Sequence, residues 1–133
     1  MKRISLILTL AIAVACLTTV ALGIAMAADV HAGGKPTTLS GELVDMGCYI
    51  GHMAKGEKHS DCAAKCVSGG MPMGVLTSAG KLYLLTMDHA NPDAYNKAKD
   101  FAGKQVKITG PTHVRNGINT IDVVSAETVA MAK

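Results

Sequence analysis

The sequence predicts a mainly β fold with two short helices. Three observations lead there. Apolar and β-branched residues alternate with polar ones, or run together briefly, in five separate stretches. Two further segments carry helix-capping residues and a helical spacing of small or apolar side chains. Turn residues divide the strands, as in Ser78-Ala79-Gly80-Lys81 and Arg115-Asn116-Gly117.

The chain begins with a basic Met1 to Arg3, and then runs from Ile4 to Ala28 without a charged residue. That run, closed by Ala25-Met26-Ala27, reads as a secretory signal over residues 1–28 and predicts a periplasmic or secreted protein. Membrane attachment follows only if the segment is kept, since a span needs roughly 20 apolar residues. Residues 29–36, including His31-Ala-Gly-Gly-Lys-Pro36, have no period and read as a flexible lead-in. Residues 37–133 remain for one domain with one modest core.

Within that domain, Thr37 to Met46 alternates through Leu39, Gly41 and Leu43 and reads as a strand that delivers Cys48 and Tyr49 to a loop. Gly51 to Ser60 has no period. A helix is then expected from a Ser60 N-cap, with Asp61 at its positive end and Gly69-Gly70 as its stop, which puts Cys62 and Cys66 on one face as i and i+4. Met73 to Thr77 and Leu82 to Met87 read as a hairpin. Asn91, Pro92 and Asp93 open a second helix with Tyr95, Ala98, Phe101 and Ala102 as its stripe, ending at Gly103. Gln105 to Gly110 and Ile118 to Val124 close the domain as two alternating strands.

Five strands with a helix between the third and fourth, and a cysteine-bearing helical insert between the first and second, is the order of an OB-fold-like barrel. Gly41-Glu42-Leu43-Val44-Asp45-x-x-Cys48-Tyr49, Cys62-Ala63-x-x-Cys66 and Gly70-x-Pro72-x-Gly74, with a closing hairpin at Val106 to Gly110 and Gly117 to Val124, resemble a group of small exported bacterial OB-fold-like proteins of unassigned function. The resemblance implies a fold and a compartment and supplies no activity.

Charge excludes one class of function. Lys2 and Arg3 leave with the signal, so 13 basic residues become 11 against 10 acidic ones. A nearly neutral domain with three Tyr, one Phe and no Trp lacks the basic groove and stacking aromatics of a single-strand reader, so no nucleic-acid partner is expected. No Ser/His/Asp order, phosphate loop or dinucleotide fingerprint is present, and no enzyme is expected.

What chemistry the sequence does carry is concentrated in Cys48, His52, His59, Cys62 and Cys66. Once Cys16 has left with the signal, these are the only cysteines of the domain. Three thiols with one imidazole can close a zinc site, or hold Cu(I), which prefers soft donors. Cys48, Cys62 and Cys66 are the expected thiolates, with His52 or His59 as the fourth ligand. Met46, Met53, Met71 and Met73 lie in or beside the cluster and favour copper where they take part. Cys62-x3-Cys66 with Met73 resembles part of the binuclear copper loop of oxidase subunits, but the His of that loop is missing from Val67 to Pro72. The alternative is a structural or protein-interaction module without metal, stapled by a disulfide from Cys48 to Cys62 or Cys66, as export into an oxidising compartment favours. The expected partner is thus a metal ion or another exported protein.

Overall fold

The computed structural model describes residues 35–130, so the signal reading, Cys16 and residues 29–34 of the lead-in lie outside the described residues. Strands β1 (Pro36–Asp45), β2 (Met73–Thr77), β3 (Leu82–Met87), β4 (Gln105–Arg115), β5 (Ile118–Val123) and β6 (Ser125–Thr128) form one sheet. Three short helices accompany it: α1 (Met46–His52), α2 (Ser60–Ser68) and α3 (Pro92–Ala98). Two 3-10 turns, Glu57–His59 and Lys99–Phe101, flank α2 and α3. Among the described residues no helix is long and apolar enough to cross a membrane.

β1 is the strand on which the site depends, and both its edges are used. Residues 36–42 pair antiparallel with β4, and residues 41–45 pair antiparallel with β2. β2 continues antiparallel into β3, β3 lies parallel to β5, and β5 turns back antiparallel onto β4. β6 takes the other edge of β4, opposite residues 106–109. The sheet order is β1-β2-β3-β5-β4-β6, with the β1–β4 pairing in addition.

Mainly β is the observed class, but the five strands and two helices expected from the pattern become six strands and three α-helices. β6 escapes the pattern because it is four residues long and buries only Ala126. β4 runs five residues past Gly110 because Pro111 falls where the strand leaves β1 for β5, so its missing N–H interrupts no ladder. α1 replaces the loop expected after β1, for a reason that belongs to the site.

The core draws Leu43 from β1, Val75 from β2, Val106 and Ile108 from β4, and Ile121 and Val123 from β5, all fully buried. Burying each such side chain contributes about 1.5–3 kcal/mol. α2 adds Ala63 and Val67, and α3 adds Ala98. Small residues at these positions let both helices approach the sheet closely. The turn after α3 locks against α2 at Gly103, where φ is +76° and a Cβ would meet Ser60 Cα at 2.5 Å. The Gly103 N–H donates to Leu43 O at 2.7 Å, so the same turn ties α2, α3 and β1 together.

Candidate metal centre

The last residue of β1 creates the site. Asp45 has extended backbone (φ −74°, ψ 131°), and its carboxylate turns forward to accept the Cys48 N–H on Oδ1 at 2.8 Å. That is the bond of a helix N-cap, worth about 1 kcal/mol to a helix start. It winds Met46–His52 into α1 although α1 buries none of its residues. Cys48 therefore sits on the first turn of a helix, with its thiol beside the carboxylate that starts the helix.

The chain then returns to the same spot. Met53 closes α1 in the left-handed region, at φ 59°. Gly56, at φ 83°, donates its N–H to the Glu42 carboxylate and so anchors the connection to β1. The following 3-10 turn brings His59 over β1, where its Nε2 lies 3.1 Å from Asp45 Oδ2. An ionised carboxylate only accepts, so Nε2 carries the proton of that bond. The expected N-cap moves back one residue: His59 occupies the cap position, and Ser60 is the first helical residue, its hydroxyl donating to Glu57 O at 2.8 Å.

On α2 the core and site stripes are adjacent. Ala63 and Val67 face the core, while Cys62 and Cys66, each one residue earlier, are exposed and half-buried respectively. The helix ends where Gly69 N–H bonds to Lys65 O at 3.0 Å and Met71 N–H bonds to Cys66 O at 2.9 Å. Burial of Val67 thus sets the rotation of α2 and turns both thiols toward Cys48.

The Sγ atoms of Cys48, Cys62 and Cys66 all lie within 4.8 Å of one another, close enough to hold a metal ion. All three thiols are free. The disulfide expected as an alternative is not formed among the described residues: three thiols share one cluster, and no two of them are joined. Tetrahedral Zn–S bonds of about 2.3 Å would put the sulfurs about 3.8 Å apart, a contraction of an ångström or less.

A second group, Asp45, Cys48 and His59, satisfies the same 4.8 Å limit and shares Cys48 with the first. His59 is therefore gathered at the site. His52 belongs to neither group; it is exposed in the last turn of α1. Asp45 is a candidate site residue absent from the sequence reading, because the strand pattern of β1 runs on to Met46 and hides a capping Asp three residues before a Cys. The spacing Asp45-x-x-Cys48 was the signal that could have found it.

Among the described residues Asp45 is the one buried charged side chain, at 0% exposure. Burial pushes its carboxyl pKa up, but the Cys48 N–H, the His59 ring and the Cys48 thiol outweigh burial and hold it below the ordinary value of 3.8. The Cys48 thiol donates to that carboxylate and is pushed up to about 12, with desolvation and the neighbouring Cys66 adding to the effect. Desolvation likewise raises Cys66, helped by Cys62 and opposed by the Cys48 hydrogen bond. Without a metal Cys48 and Cys66 therefore hold their protons, and an ion must displace them to bind.

The methionines divide by environment. Met73 is buried in the core, Met46 packs its sulfur over Gly74, Met71 packs over Gly47, and Met53 is exposed. His113 Nε2 on β4 lies 3.1 Å from Asp122 Oδ2 on β5.

Comparison of the chain with protein-family models, curated proteins and solved structures found no match. The functional reading therefore rests on the geometry of this site.

Proposed function

We propose that the protein is a small exported binding module that handles a soft metal ion, copper or zinc, through Cys48, Cys62 and Cys66. One observation carries the reading: three free thiols from two helices converge within 4.8 Å. Two of them are half-buried and one is exposed, which leaves an approach for the ion from solvent. Thiolates suit Cu(I) and Zn(II) above hard cations. The protein acts as a binder rather than an enzyme, with the ion or another exported protein as its partner and no nucleic acid.

The OB-fold-like arrangement and the resemblance to small exported bacterial proteins belong to the same proposal. The parallel β3–β5 pairing, the β1–β4 pairing, and α3 between β3 and β4 support it. In that arrangement the cysteines occupy the connection between the first two strands, a common place for a ligand in such folds.

The test is elemental analysis of the purified protein together with thiol titration before and after chelation. Three thiols that become reactive only after chelation are expected. Cys62→Ser and Cys66→Ser should each lower Cu(I) or Zn(II) affinity at least tenfold, and affinity should fall at low pH as the donors take up protons. Affinity unchanged by substitution at all three cysteines would overturn the reading.

A further inference from the structure

We infer that Asp45, Cys48 and His59 form a second metal position, for one zinc ion, which shares the Cys48 thiolate with the three-cysteine position. The inference rests on the metal reading above and extends it from one ion to two.

Geometry separates the two positions. Among the described residues, no single group within 4.8 Å contains all five side chains, and the two sets meet only at Cys48. A tetrahedral ion takes four ligands, so one ion cannot draw on all five side chains. A thiolate has lone pairs enough to bridge two ions, so Cys48 can serve both.

The second set already has nearly the spacing of a zinc site. His59 Nε2 and Asp45 Oδ2 are 3.1 Å apart. Nitrogen and oxygen ligands at about 2.0–2.1 Å in a tetrahedral zinc site stand about 3.3 Å from each other. Zinc would sit to one side of the line between them, with the His59 proton carried on Nδ1 instead of Nε2. Imidazole, carboxylate and thiolate together are zinc donors, whereas the three-thiolate set also suits Cu(I), so the two positions differ in chemistry. Three protein donors leave the fourth zinc position open to water.

Charge points the same way. Asp45 is fully buried, and His59 Nε2 is 3.1 Å from its carboxylate, with no Lys or Arg paired to it among the described residues. With both positions filled, three thiolates and one carboxylate carry four negative charges, and two zinc ions cancel them. On binding, each cysteine thiol releases its proton to water, while the neutral His59 ring carries its proton on Nδ1 and offers a bare Nε2 to the ion.

Zinc titration of the reduced full chain, read by native mass spectrometry and elemental analysis, tests this. Two zinc ions per chain are expected at saturation, falling to one in His59→Ala, in Asp45→Asn and in Cys62→Ser. Asn retains an oxygen to cap Cys48. His59→Ala, in a partly exposed turn, decides the matter if Asp45→Asn fails to fold. One zinc per wild-type chain, or two retained in His59→Ala, would overturn the second position and leave the three-cysteine site standing. No zinc bound at all would overturn both.

Discussion

Replacing Asp45 with alanine should uncouple α1 from β1, and the size of the effect follows from what the carboxylate touches. Its Oδ1 caps α1 through the Cys48 N–H at 2.8 Å, and its Oδ2 takes the His59 ring at 3.1 Å. Loss of an N-cap costs about 1 kcal/mol, and a hydrogen bond to a charged group contributes about 1.5–3 kcal/mol. The two contributions share one side chain and do not simply add, so the loss should be about 2–4 kcal/mol, a large part of the stability of a domain this size. Asp45→Asn retains the cap and should lose about half as much. Urea unfolding of the metal-free protein at neutral pH measures both.

The pH dependence of that stability carries its own sign. Asp45 sits below its ordinary value when folded, so its contribution is present above about 3.8 and is lost as pH falls through the folded value. Cys48 is raised, so its contribution is fully present below the ordinary thiol value of 9.0 and is lost as pH rises toward about 12. Asp45→Ala should flatten both limbs and make Cys48 alkylate faster at pH 9 than in the wild type. A loss under about 0.5 kcal/mol, with an unchanged Cys48 alkylation rate, would refute the role given to this carboxylate.

Two further outcomes are expected elsewhere. Gly110→Ala should destabilise by about 3 kcal/mol in urea unfolding, because its Cβ would meet Asp122 O of β5 at 1.7 Å, and backbone cannot step aside as a flexible side chain can; a loss under about 0.5 kcal/mol would show that β4 and β5 do not approach there as described. In hydrogen exchange, α1 should open before the sheet in the metal-free protein because it buries no residue, and zinc should slow exchange from Cys48 to Cys66; uniform protection without metal would contradict this.

The inward and outward faces of the elements can be read from the residues alone. Alternation at Leu39, Gly41 and Leu43, and at Ile121 and Val123, identifies strands because a pleated strand turns every second residue inward. The four-residue step from Cys62 to Cys66 likewise puts both thiols on one helical face. Such patterns say which side of an element is inside, but not which element it meets. The pairing of β3 with β5, the continuation of β4 past Pro111 and the addition of β6 are long-range choices, made by strand edges that carry no side-chain code.

The site divides along the same line. Cys48, Cys62, Cys66 and His59 were legible as soft and borderline donors crowded into one short stretch, while His52 was equally eligible by type and lies outside both groups. What separates the two histidines is tertiary. Gly56 holds the returning chain against Glu42 of β1, which delivers His59 to the buried end of that strand, whereas His52 leaves on the open end of α1. Asp45 became part of the site for a reason no spacing of donors reveals. It is the point where a strand ends inside the core, and a carboxylate buried there must find donors, so it draws together the helix, the histidine and the thiol that surround it.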